Sequence, residues 1–110
     1  MKKIKIAFDV DGTLRDNTKP YDYGCTENVK ANEEMRSLLI TLSKFKNIEC
    51  HIWSGAGIIY ATQIREIMNL QSYVKYKHCH GKDSEFRPDI AIDDIHDFDL
   101  GGVNLIVNQK

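Results

Sequence analysis

The run Ile4-Lys5-Ile6-Ala7-Phe8-Asp9-Val10-Asp11-Gly12-Thr13 decides how the rest of the chain is read. Ile4, Ile6 and Phe8, with Ala7 and Val10, form a short β-prone stretch that ends in acids and a glycine. This predicts a strand over residues 3–9, followed by a turn carrying two carboxylates. Residues 12–30 hold Gly12, Asp16, Asn17, Pro20 and Gly24 without a sustained period, so a long loop follows. Loops of that length in small domains tend to be functional.

Further along, Met35, Leu38, Leu39, Leu42 and Phe45 fall at helical spacing, which predicts an amphipathic helix from Ala31 to Lys46. Asn32, Glu33 and Glu34 supply its cap and an acidic first turn. Ile48–Trp53 reads as a second strand, broken by Ser54-Gly55-Ala56-Gly57. Helical spacing returns over Ile58–Leu70, with Ile58, Ile64, Ile67 and Met68 assigned to the core. Tyr73–Cys79 is expected as a third strand, 80–88 as a loop, Asp89–Asp93 as a fourth strand and Val103–Val107 as a fifth. Strands alternating with helices imply parallel βαβ units and a doubly wound, three-layer α/β sandwich. A chain of 110 residues makes one domain, 1–110.

Composition narrows the function classes. With 42% hydrophobic and 28% charged residues the chain is neither disordered nor membrane-like. Met1-Lys2-Lys3 begins like a secretion signal, but the apolar stretch after it is interrupted by Lys5 and stops at Asp9. No run approaches the length that spans a bilayer. A net charge of −1 gives no global field for nucleic acid, although Lys75, Lys77, Lys82 and Arg87 form a local basic cluster over 75–87. Cys25, Cys50 and Cys79 have no paired spacing, which suits a reducing cytoplasm. In a strand, His78 and His80 would share one face and Cys79 the other, so these three cannot converge on one ion.

Ligands of open parallel sheets bind at the carboxyl ends of the strands. Those ends carry Asp9 and Asp11, Ser54 and Gly55, and Asp93 and Asp94. Four converging carboxylates require a cation. Mg²⁺ fits the all-oxygen donor set and points to phosphoryl chemistry. The Gly12-Thr13 turn and Gly55 would offer backbone N–H groups to phosphate, and Ser54 a hydroxyl. Asp9 suits the role of nucleophile, and Asp11, two residues on, that of general acid and base.

Phe8-Asp9-Val10-Asp11-Gly12-Thr13-Leu14 resembles the first motif of the haloacid-dehalogenase (HAD) phosphatases. Ile52-Trp53-Ser54-Gly55 resembles their second, and Ile90-Ala91-Ile92-Asp93-Asp94 their fourth. The resemblance implies a five-stranded parallel sheet in the order 5-4-1-2-3 and an aspartyl-phosphate on Asp9. It also implies Mg²⁺ held by Asp9, the Asp11 carbonyl and Asp94, with Asp93 acting directly or through water. Ser54 would bind the transferring group, and a lysine would neutralise it. Lys82 is the first candidate for that lysine, ahead of Lys77, Lys75 and Arg87. Only about nine residues separate strands three and four, where relatives place a helix, and no cap domain fits the spacing. The expected site is an open cleft that a loop or an oligomer would cover. Tyr21 and Tyr23 in the loop stand to contact substrate or to pack the loop down, and Asp97 and Asp99 to orient metal waters or to lie on the surface. The expected reaction is phosphomonoester hydrolysis, with a nucleotide or polynucleotide end phosphate as substrate. A non-catalytic Mg²⁺- or partner-binding module, or a phosphotransferase with another acceptor, are the alternatives.

Overall fold

Strand β1 (Ile4–Asp9) leads into a long loop, helix α1 (Glu33–Ser43), strand β2 (Ile48–Ser54) and helix α2 (Ile58–Ile67). A 3₁₀ turn (Tyr76–His78) then precedes β3 (Cys79–Gly81), β4 (Ile90–Asp93) and β5 (Val103–Ile106). This computed structural model describes residues 2–16, 23–93 and 103–106, and in the last segment only the side chain of Leu105. The strands lie in the order β3-β2-β1-β4-β5, and every neighbouring pair is parallel. The parallel α/β class expected from the alternation of elements is therefore observed. No helix among the described residues is long and apolar enough to cross a membrane.

Side chains of successive strand residues alternate between the two faces of the sheet. Ile6, Phe8, Cys50, Ile52 and Ile92 join Leu39 of α1 and Tyr60, Ala61 and Ile64 of α2 in one buried cluster. Both helices thus cover the same face. Asn32 caps α1 as expected, its side-chain oxygen accepting from the Met35 N–H at 3.3 Å.

The opposite face carries Ala7, Trp53 and Ala91, with Phe86 packed against them. The expected third layer is not found among the described residues, and between β3 and β4 chain length gives the reason. Residues 82–89 must carry the chain from β3 past β2 and β1 to β4, about 14 Å sideways at the usual strand spacing. Eight residues reach only ~27 Å when extended, so the crossing leaves no length for a helix. Phe86 covers the face instead, stacked on His80 at 3.9 Å and on His51 at 4.6 Å between ring centroids.

Two other expectations are corrected. The third strand was expected over 73–79 but occupies Cys79–Gly81. The Tyr73 and Val74 N–H groups both donate to the Leu70 carbonyl, folding this segment back on the end of α2 and burying Val74. Ile58 and Ile67 are exposed rather than core, at 56% and 44%. The buried stripe of α2 is Tyr60, Ala61, Ile64 and, just past its end, Met68, so the helix is rotated from the expected phase.

Candidate active site

Register brings the first two carboxylates together. Phe8 of β1 pairs with Ile92 of β4, so Asp9 and Asp93 come next on adjacent strands and share the face of Ala7 and Ala91. Both are buried. Two buried carboxylates this close need a counter-charge, and Lys82 supplies it. Its Nζ lies 2.9 Å from Asp9 Oδ1 and 2.6 Å from Asp93 Oδ2. The Lys82 backbone is fixed by its N–H donating to the Ser54 carbonyl at 2.9 Å. Burial alone would lower the lysine pKa, but the charge of Asp9 and the hydrogen bonds to Asp93 and Asp9 outweigh it, so the value stands above the ordinary one. The ammonium also lies 5.7 Å from the centroid of the buried Trp53 ring, within cation–π range.

Asp11 is held from the other side. Its Oδ1 accepts from the Tyr60 hydroxyl at 2.8 Å, and Arg15 Nη1 lies 3.9 Å from the same oxygen. Arg15, 2% exposed, donates to the Tyr60 oxygen at 3.1 Å and to the carbonyls of Cys25 and Glu27. It therefore fastens the long loop, α2 and the Asp11 turn to one another. Burial raises the Tyr60 pKa and the Asp11 bond adds to this against the pull of Arg15, so the phenol stays protonated and donating.

The turn between these groups corrects one expectation. The Gly12 N–H donates to the Arg15 carbonyl and the Thr13 N–H to the Val10 carbonyl, so neither amide points to a phosphate site. Gly12 instead supplies a φ of +83° that a side chain would resist. Ser54 is buried at the end of β2, and its Oγ accepts from the Ala56 N–H at 3.0 Å, which leaves its O–H able to donate. Gly55 lies directly beneath the Tyr23 hydroxyl, where any side chain would collide with it. The Tyr23 pKa is raised by partial burial and by the charges of Asp11 and Asp9, with Lys82 opposing. Tyr23 thus stands at the mouth of the carboxylate site. Lys82 is the lysine that reaches Asp9. Lys75 lies in a different cleft with Glu49 and His78, and Arg87 donates to the carbonyls of Ser84 and Phe86. Asp94, Tyr21, Asp97 and Asp99 lie outside the described residues.

Buried polar atoms without hydrogen-bond partners mark where a ligand or ion is to be sought. Of the four among the described residues, Asp11 Oδ2, Thr13 Oγ1 and Trp53 Nε1 belong to this edge of the sheet, and Ser84 Oγ lies in the loop after Lys82. Asp9, Asp11 and Asp93 carry three negative charges against one each on Lys82 and Arg15. Among the described residues acids therefore outnumber bases at this edge, and an all-oxygen donor set of this kind fits a hard divalent cation.

Sequence reasoning passed over Arg15 and Tyr60. A buried arginine is rare unless paired, and the spacing of Asp11 and Arg15 by four residues was the available signal. Tyr60 was legible only through the true phase of α2. Comparison with protein-family models, with curated proteins and with solved structures finds no match for the chain.

Proposed function

We propose that the chain is a Mg²⁺-dependent phosphomonoester hydrolase of HAD type that works through an aspartyl-phosphate on Asp9. The observation that carries this reading is Lys82 bridging Asp9 and Asp93 beside an independently anchored Asp11. The strand order and the position of these groups at the carboxyl edge support it further. An Asp9 carboxylate oxygen attacks phosphorus, the bond from phosphorus to the leaving oxygen breaks, and Asp11 protonates that oxygen. Asp11 then takes a proton from water as the water attacks phosphorus and releases Asp9. Lys82 neutralises nucleophile and phosphoryl oxygens, and Ser54 donates its hydroxyl to the group in transfer. Asp9, Asp11 and the acids at the end of β4, Asp93 or Asp94, would hold Mg²⁺. When bound, the ion supplies the positive charge that lets a phosphate dianion approach these carboxylates.

Beside Ser54 and Lys82 lies a cleft of about 360 Å³ lined by Ala56, Gly57, Ile58, Ile59, His80 and Asp83, among others. Ile58 and Ile59 are exposed there at 56% and 73%. An apolar wall next to an anion site suits a substrate with a flat uncharged part, such as a nucleotide or the phosphorylated end of a polynucleotide. The test is phosphate release from p-nitrophenyl phosphate, a nucleotide panel and 3′-phosphorylated oligonucleotides, with and without Mg²⁺. Turnover should require Mg²⁺ and vanish in Asp9→Asn. Turnover that survives Asp9→Asn rules out the mechanism.

A further inference from the structure

The second face of the sheet holds a cluster that the carboxylate site does not use. Glu49 and His51 alternate along β2 and project from the same face. The 3₁₀ turn before β3 swings His78 onto them. Glu49 Oε1 lies 2.7 Å from His51 Nε2 and 3.5 Å from His78 Nε2, and the three donor atoms fall within 4.8 Å of one another. His51 Nδ1 lies 2.9 Å from His80 Nε2, and the His80 ring is stacked on Phe86. Cys79 turns away from the cluster into the helix-covered core, while Glu49 and His51 reach His78 from the neighbouring strand.

We infer that Glu49, His51 and His78 form a binding site for a divalent transition metal ion of the Zn²⁺ class, separate from the carboxylate site. Two imidazoles and a carboxylate are the donor set such ions prefer, with one position left for water. A tetrahedral ion with ~2.0–2.1 Å bonds sets its donors about 3.3 Å apart. The 3.5 Å pair already matches, and the 2.7 Å pair needs to open by about 0.6 Å. Ligation through Nε2 requires the proton of His51 on Nδ1, where His80 can accept it, the arrangement that orients metal-binding histidines elsewhere. Lys3 and Lys75 line the cleft that gives solvent access to Glu49 and His78. Their charge opposes any cation, so an ion here must be held by its bonds to the imidazole nitrogens rather than by the local field. Glu49 lies five residues before Ser54, roughly 16 Å along the strand.

The test is titration of the full chain with Co²⁺ alone, read by visible absorption, and competition with Zn²⁺. One equivalent should bind in tetrahedral form, be displaced by Zn²⁺ and resist excess Mg²⁺. Binding should be lost in His78→Ala and in Glu49→Gln, at a buried and a half-buried position that both lie outside the apolar clusters. His80→Ala should weaken it by about tenfold to a hundredfold, and Asp9→Asn should leave it unchanged. Absence of the band in the folded wild-type chain would overturn the site. So would a band that persists in both His78→Ala and Glu49→Gln, or one lost in Asp9→Asn.

Discussion

The two faces of this sheet are built for different purposes. One is sealed by α1 and α2 over a continuous cluster running from Ile6 and Phe8 to Ile52, Ile64 and Ile92. Among the described residues the other has a cluster of Ala7, Trp53 and Ala91 with Phe86 packed against it. Yet Asp9, Asp93, Lys82, Glu49, His51 and His78 all belong to this second face. A helix there would have buried these groups and closed the approach of a ligand. The short crossing over residues 82–89 leaves no length for a helix between β3 and β4, and these polar side chains lie on the face it crosses. Apolar packing and polar side chains are thus divided between the faces, with β2 contributing Cys50 and Ile52 to one and His51 and Trp53 to the other.

That division can be broken at graded cost. Phe8→Ala on the helix-covered face should destabilise by about 4 kcal/mol, because a fully buried aromatic leaves a cavity that rigid strands cannot close. Urea unfolding monitored by circular dichroism measures it. Lys82→Met on the other face should cost about 3 kcal/mol, since it removes the buried ammonium that bridges Asp9 and Asp93. Lys82→Met with Asp93→Asn should recover part of that loss, which an apolar core position would not do. Phe86→Ala, a half-buried cover, should cost only about 1 kcal/mol. If Phe86→Ala proves as damaging as Phe8→Ala, the contrast between the faces fails.

The smallest effect concerns the cysteines. Cys50 and Cys79 belong to the helix-covered cluster, and burial pushes the Cys50 thiol up to about 12. Under native conditions a neutral alkylating reagent should modify Cys25 alone, as peptide mapping would show. Labelling of Cys50 at a comparable rate would mean that this face opens readily.

Much of this was legible in the sequence, for identifiable reasons. β1 was readable because apolar alternation ends abruptly in Asp9, and the meeting of Asp9 with Asp93 was readable because both sit at strand ends. Lys82 could be chosen over Lys75 and Lys77 because it follows β3, even though β3 itself was placed too early. Tyr73 and Val74 look β-prone, but their N–H groups are captured by Leu70, a contact that no local propensity encodes. The phase of α2 was misjudged because isoleucines at 58 and 67 outweighed Tyr60, whose hydroxyl is needed by Asp11. Arg15 was hidden because its partners, Cys25, Glu27 and Tyr60, are brought together only by the fold. The histidine cluster was not legible because Glu49 and His51 meet His78 only through strand pairing, which the spacing within 78–80 does not encode.

The central claim is that Asp9 forms a bond to phosphorus, and it can be observed directly. p-Nitrophenolate is a weak base that leaves without a proton, so Asp11→Asn should still form the aspartyl-phosphate while losing the base that activates water. Acid-quenched Asp11→Asn, incubated with Mg²⁺ and p-nitrophenyl phosphate, should therefore carry one hydroxylamine-sensitive phosphoryl group, mapped by mass spectrometry to Asp9. An unmodified Asp9 in a variant that still releases a burst of p-nitrophenolate would contradict the account.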